Sequence, residues 1–281
     1  MGNIELKCPS CRKMGIIEIS DEIIDKCQRG IVAINLGKNQ ICSHSFIAYI
    51  DKNLDIRDCI LTDFQIELPQ LEIKKKDYKV DIPSDESMNI DLIKLNLYPK
   101  TLAFLLRLNL FKKSSIIIND NKFLNNHYEK FLSFIFHSLF EINTLILTKN
   151  EYKINKNKFD DYIIVEGNNI IKDKEDVLNI KKLKVEEKIV YKFFSEMDTK
   201  TSVILLRNEI YKTHILIQSI KEFLKSIKEK EKIDIMRIVN VIKEIHKIEI
   251  NTDYLGFLIE IIKNYYGIAV PVIYKNVLGF L

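Results

Sequence analysis

The side chains in this sequence that are best suited to chemistry are cysteines and a histidine near its start. Cys8-Pro9-Ser10-Cys11 carries two thiols three positions apart, a spacing that lets both thiolates bind one metal ion. Cys42-Ser43-His44 supplies a second pair of ligands. Four protein ligands leave a tetrahedral zinc no position for a reacting water, so we expect a Zn²⁺ with a structural role. Its predicted ligands are Cys8, Cys11, Cys42 and His44.

Two other interpretations of these cysteines stay open. Cys27 is a rival ligand, although its charged surroundings offer no neighbouring partner. The Cys8/Cys11 pair is also compatible with ordinary thiols or with a redox pair, but no βαβ pattern surrounds it and it does not begin a helix, the position that lowers a thiol pKa. Cys59 alternates within a predicted strand, which is typical of a small core residue.

The scarcity of glycine argues against several enzyme classes. The chain has eight glycines, and they form neither a Walker A loop nor a dinucleotide-binding fingerprint. The nucleophile elbow G-x-S-x-G, the H-E-x-x-H zinc motif and the acidic Ca²⁺ loop do not occur either.

Length and composition predict a folded protein of about two domains. The chain has 281 residues, of which 47% are hydrophobic and 29% charged. A net charge of +4 does not select a partner. Five cysteines, two of them in a C-x-x-C pair, favour a reducing compartment. Uncharged runs are too short to span a bilayer, and the first residues lack an apolar targeting segment, so we expect a cytoplasmic protein.

Hydrophobic patterning divides the chain into a β-rich start, a linker and a larger α/β part. Residues 1–68 predict short strands, including a hairpin of Phe46–Ile50 and Ile56–Thr62 around turn-forming residues. Residues 69–91 lose apolar periodicity and gain proline, serine and mixed charge, which indicates a linker. Residues 92–184 alternate helix and strand, which predicts a small parallel sheet covered by helices.

The remaining residues, 185–281, have a helical pattern throughout. Their clearest segment repeats apolar residues at spacings of three and four, which requires packing against another helix. We expect that partner within the chain, in a helical bundle on the α/β domain. The repeating positions are Val203, Leu206, Ile210, Thr213, Ile217, Ile220, Leu224 and Ile227.

Three polar residues follow the predicted parallel strands and mark a candidate ligand pocket. In open parallel sheets, ligands bind beyond the carboxyl ends of the strands. This position nominates Asp120, Thr148 and Glu166. The alternative, which we favour, is that Asn119-Asp120 caps the following helix and that Glu166-Gly167-Asn168 is a turn.

The N-terminal quarter resembles a zinc-ribbon-plus-β-hairpin module found in uncharacterised microbial proteins. The resemblance rests on Cys8-Pro9-Ser10-Cys11, on Gly30-Ile31-Val32, and on Cys42-Ser43-His44-Ser45-Phe46 leading into Tyr49-Ile50-Asp51-Lys52-Asn53. It implies metal binding and no particular activity, and it gives Cys27 and Cys59 no role.

These observations predict a non-enzymatic, zinc-stabilised binding or scaffold protein that contacts another protein. The apolar C-terminal stretch 268–281 is a candidate contact surface if it does not pack on its own domain. One alternative is a nucleic-acid-associated accessory protein that uses the zinc module, since Arg12, Lys13, Arg29, Lys38 and Lys52 make that module partly basic. Another is an enzyme with a site at the sheet edge. The oligomeric state stays open.

Overall fold

The protein is a mixed α+β molecule, as the sequence predicts. The computed structural model describes residues 2–23, 30–51, 53–61, 68–70, 82–84, 86–227 and 232–273. Most of the predicted linker, residues 71–81 and 85, lies outside them.

Two small antiparallel sheets form the N-terminal part. Strands β1 (Gly2–Lys7) and β2 (Met14–Ile19) pair as a hairpin, and β3 (Val32–Leu36), β4 (Phe46–Ile50) and β5 (Ile56–Leu61) form a three-stranded sheet with β4 in its centre. Strand β1 was not predicted. Its sequence signal was the alternation of apolar Ile4 and Leu6 with polar Asn3, Glu5 and Lys7, and in the structure the two apolar residues are buried and the three polar ones exposed.

Strand β4 is buried on both faces and therefore belongs to two cores. Phe46, Ala48 and Ile50 pack in one core with Ile4 and Leu6 of the β1–β2 hairpin. Ile47 and Tyr49 point to the opposite face and join the core formed by the helices. The Tyr49 ring meets Phe194 edge-on, with ring centroids 5.5 Å apart. The three-stranded sheet thus lies between the hairpin and the helical part.

The four-stranded sheet has the predicted parallel core and an additional edge strand. Its order is β7 (Thr144–Leu147), β6 (Ser115–Ile118), β8 (Ile163–Glu166) and β9 (Asn169–Lys172). Strands β6, β7 and β8 are parallel, whereas β9 returns antiparallel to β8. The sequence predicts Gly167 through Asn169 as a loop. The turn is shorter than that, because Gly167 adopts a left-handed φ of +56° and Asn169 already begins β9.

Helices cover both faces of this sheet and fill the rest of the molecule. The spacing of apolar residues at 124, 128, 131, 135 and 139 predicts one helix over 121–141, but this helix ends earlier, at Phe136. The helices are α1 (Ile90–Asn96), α2 (Pro99–Leu110), α3 (Lys122–Phe136), α4 (Lys149–Asn155), α5 (Lys184–Ser195), α6 (Thr199–Lys225), α7 (Ile235–His246) and α8 (Thr252–Tyr266).

The long helix α6 packs within the chain through the predicted seam. Val203, Leu206, Ile210, Thr213, Ile217 and Ile220 are all buried. Their face contacts α3, α5, α7 and α8, which together make the expected intramolecular bundle. The C-terminal part is not entirely helical, since β10 (Ile233–Asp234) pairs in parallel with β11 (Val272–Ile273). Among the described residues, no helix has the length and apolarity needed to cross a membrane.

A buried arginine joins the helices. Arg107 on α2 donates to Glu186 Oε1 of α5 at 2.6 Å and to Glu260 Oε2 of α8 at 2.7 Å. It also donates to the carbonyl oxygens of Val177 at 2.8 Å and Lys182 at 3.2 Å. Because Glu186 is fully buried, its charge depends on Arg107 for compensation.

We expect Arg107→Met to lower the free energy of unfolding by about 3–5 kcal/mol, because Glu186 would keep a buried carboxylate without a counter-charge. Urea denaturation measures this change. Lys225→Met is the control: it breaks an exposed ion pair with Glu222 and should cost less than about 1 kcal/mol. The double variant Arg107→Met/Glu186→Met should recover most of the loss. A loss below about 1 kcal/mol for Arg107→Met would contradict this role.

Candidate metal centre

The structure brings the four predicted ligands together at one end of the N-terminal sheets. Cys8 and Cys11 lie in the loop between β1 and β2, and Cys42 and His44 lie in the loop between β3 and β4. Their ligand atoms all lie within 4.8 Å of one another. The cluster could therefore hold a metal ion.

The separation of the Cys42 and His44 ligand atoms fits a tetrahedral metal site. A zinc ion about 2.3 Å from sulfur and about 2.0–2.1 Å from nitrogen would place those two atoms about 3.5–3.6 Å apart. Cys42 Sγ and His44 Nδ1 are 3.6 Å apart. The second loop therefore already has the sulfur–nitrogen separation that such an ion requires.

The first loop aims backbone N–H groups at a sulfur. Cys8 N donates to the carbonyl oxygen of Lys13 at 2.9 Å, and Arg12 N donates to the carbonyl oxygen of Cys8 at 3.0 Å. Arg12 adopts a left-handed φ of 62°, which closes the turn. Ser10 N lies 3.4 Å from Cys8 Sγ. Burial raises the pKa of Cys8, but hydrogen bonds from the backbone of Cys11 and Ser10 outweigh it, so the pKa is lowered.

The second loop has a similar construction. Asn39 N donates to the carbonyl oxygen of Cys42 at 2.7 Å, and His44 N lies 3.4 Å from Cys42 Sγ. The hydrogen bond from the His44 backbone lowers the pKa of Cys42, but burial and the neighbouring thiols of Cys8 and Cys11 raise it overall. Thiols this close cannot all ionise without a cation between them. The electrostatics of the cluster thus favour a bound positive ion.

Tight packing fixes the two loops against each other. Cys8 and Cys42 are buried in the core that contains Leu6 and Ile41. A Cβ atom added at Gly15 would lie 2.9 Å from Ile41 Cγ1, so β2 approaches the second loop too closely for a larger residue there. Cys11 is exposed and His44 is half-buried, so the cluster lies at the molecular surface.

Cys59 and Cys27 are the two cysteines outside the predicted ligand set. Cys59 on β5 is half-buried beside the same core and is not part of the cluster. Burial raises the pKa of its thiol to about 12, as expected for a packing residue. Cys27, the rival ligand, lies outside the described residues.

The three residues nominated at the sheet edge meet at the N-terminus of α4. Asp120 Oδ1 accepts a hydrogen bond from Lys149 N at 2.8 Å, and Glu166 pairs with the Lys149 ammonium at 2.8 Å. Thr148 forms a capping box with Glu151. Asp120 therefore caps α4 rather than α3, the helix that directly follows it. These contacts account for all three residues as groups that stabilise a helix start.

Sequence reasoning missed a buried acidic group between β5, α2 and α5. Asp58 Oδ2 accepts from Lys100 N at 3.0 Å, which supports the start of α2 where the N-cap residue Tyr98 makes no side-chain bond. Tyr49 pairs with Asp58 across the sheet, and its buried hydroxyl has no hydrogen-bond partner. Burial and the nearby Glu186 raise the pKa of Glu187 to about 9. The signal available in the sequence was an aspartate, Asp58, inside the predicted strand Ile56–Thr62.

Comparisons with protein-family models, with curated proteins and with solved structures find no match to this chain.

The raised pKa of Glu187 predicts a pH-dependent stability. Between about pH 4.5, where the unfolded carboxyl ionises, and about pH 9, the native state binds more protons, so the free energy of unfolding falls as pH rises. Glu187→Gln mimics the protonated form and should gain on the order of 2 kcal/mol over the wild type at pH 8. Urea denaturation at pH 5, 7 and 9 measures this. The exposed control Glu129→Gln should follow the wild-type profile, and an identical profile for Glu187→Gln would show that this reasoning is wrong.

Proposed function

We propose that Cys8, Cys11, Cys42 and His44 bind one Zn²⁺ and that the protein is a non-enzymatic binding protein whose N-terminal module this ion stabilises. The observation that supports the proposal most directly is the convergence of four ligand atoms from two separate loops.

The ligand set favours zinc among the common divalent ions. Thiolates are soft ligands that suit zinc, whereas magnesium and calcium prefer oxygen ligands. Three thiols and one imidazole are one of the usual sets for a four-coordinate structural zinc. The N–H groups directed at Cys8 and Cys42 would stabilise their thiolates around such an ion.

A structural role agrees with the coordination. A catalytic zinc keeps one position for water or substrate, but four protein ligands fill the tetrahedron. At the edge of the parallel sheet, Asp120, Thr148 and Glu166 make contacts at the start of α4, which supports the helix-capping interpretation over a ligand pocket there. We therefore favour binding over catalysis.

The metal-bearing loops are the surface most suited to binding. They project from a sheet whose other face is anchored in the helical core, so a partner would meet a rigid surface. The apolar C-terminal stretch is less suited to this role. Ile268, Val270 and Val272 pack against the molecule's own core, and residues 274–281 lie outside the described part of the chain.

Zinc content tests the metal assignment. The full chain, purified without chelator, should contain about one zinc per chain by elemental analysis. Cys8→Ser and Cys42→Ser each remove a ligand and should reduce this ratio strongly, whereas Cys59→Ala, a cysteine of the same module outside the cluster, should retain it. A ratio near zero for the wild type, or equal zinc in all four proteins, would overturn the proposal.

Cobalt substitution distinguishes a closed structural site from a catalytic one. Co²⁺ in a closed site of thiolates and imidazole should give intense tetrahedral bands in the visible spectrum. Added azide should leave these bands unchanged, because no coordination position is open. A spectrum that shifts with azide would instead indicate an open, catalytic site and would contradict the structural role.

A further inference from the structure

We infer that the metal end of the protein, defined as residues 7–13 and 37–45, binds the phosphate backbone of nucleic acid through Lys7, Arg12, Lys13 and Lys38. This inference rests on the proposed function and names the chemistry of the partner.

The metal end carries positive charge and no acidic residue. Residues 7–13 contribute three cations and residues 37–45 contribute one, and neither segment contains aspartate or glutamate. All four cationic side chains are exposed. A zinc bound by three thiolates and a neutral imidazole would add a net charge of −1 and leave +3 on this end. The convergence of the ligands brings the two basic loops side by side.

These four cations differ from many others on the molecule because no carboxylate neutralises them. In the described part of the chain, none of Lys7, Arg12, Lys13 and Lys38 forms an ion pair. By contrast, many lysines of the α/β and helical parts do. Examples are Lys112 with Glu141, Lys149 with Glu166, Lys172 with Asp160, and Lys243 with Glu249. An unneutralised group of cations retains its attraction for a polyanion.

The acidic residues of the β1–β2 hairpin lie outside the metal end, and the nearer of them, Glu5, shares the exposed face of β1 with Lys7. Glu5 is two residues before Lys7 on β1, and Glu18 is four residues after Met14 on β2. At about 3.4 Å per residue, these steps correspond to about 7 and 14 Å along the strands. Glu5 is thus the nearest acidic group of the hairpin, and the positive charge is concentrated at the metal end.

Nucleic acid fits this surface better than an acidic protein does. Protein interfaces depend on apolar or aromatic anchors. The described residues of the two loops themselves expose no large apolar or aromatic side chain, although Met14 and Ile16 on the adjoining strand β2 are exposed. The four exposed cations without carboxylate partners outnumber these two apolar side chains, which favours a polyanion as the partner. Phosphate contacts can supply affinity without such anchors. Arg12 adds a planar group that can bind a phosphate through two hydrogen bonds. Without aromatic side chains for stacking on bases, the binding should be independent of nucleotide sequence.

Salt dependence of binding is the direct test. Fluorescence anisotropy with a labelled 20-base-pair DNA duplex would measure the affinity of the full, zinc-loaded chain between 50 and 200 mM KCl. Three to four phosphate contacts predict a slope of log affinity against log salt of about −2.7 to −3.6, which is a loss of about 40- to 150-fold over this range. Arg12→Ala/Lys13→Ala should weaken binding and reduce the slope by about 2.

The control variant also removes two positive charges, but from outside the metal end. Lys130→Ala/Lys263→Ala deletes two exposed lysines from α3 and α8 and should bind the duplex like the wild type. The inference is overturned if the wild type does not bind at 50 mM salt, if both double variants lose affinity equally, or if polyglutamate displaces the duplex as well as unlabelled DNA does at equal charge. The last result would indicate an acidic protein partner.

Zinc content, measured on each sample, separates this inference from the proposed function. One zinc per chain without duplex binding would contradict only the nucleic-acid surface. Absence of zinc from the wild type would contradict the metal module itself.

Discussion

Burial of strand β4 on both faces is the constraint on which the arrangement of this protein depends. Five consecutive buried residues divide by alternation, so that Phe46, Ala48 and Ile50 pack toward the β1–β2 hairpin while Ile47 and Tyr49 pack among the helices. The strand begins two residues after His44. The position of the loop that carries Cys42 and His44 is therefore set by the core of the molecule rather than by the loop itself.

Charged groups have different surroundings in the interior and at the metal end. In the interior, buried ionisable groups meet specific partners, as Arg107 does with Glu186 and Asp58 does with the start of α2. At the metal end, three thiols converge at a surface whose neighbouring cations have no carboxylate partners in the described residues. The interior ion pairs and hydrogen bonds hold helices and strands together. At the metal end, the thiols would attract a cation when ionised, and the exposed basic side chains around them would attract a polyanion.

Much of the fold could be predicted from the sequence because its signals are local. The seam of α6 follows from the spacing of its apolar residues, and the strands β6, β7 and β8 follow from short apolar runs between helices. Strand β9 was not predicted, although Gly167-Asn168 between two runs rich in β-branched residues is a hairpin signal that the sequence already contained. The role of Asp120 was misassigned to the following helix because the start of α4 is brought to it only by the sheet.

The metal cluster separates what the sequence alone determined from what tertiary structure decided. Residue types and the C-x-x-C and C-x-H spacings identified four candidate ligands, because coordination chemistry restricts which side chains can share an ion. Spacing cannot show that two loops meet, since that depends on non-local packing, here of the β1–β2 hairpin against β4 and of Gly15 against Ile41. The same packing brings the two loops, with their basic residues, to one end of the N-terminal sheets, and no local pattern in the sequence records that proximity.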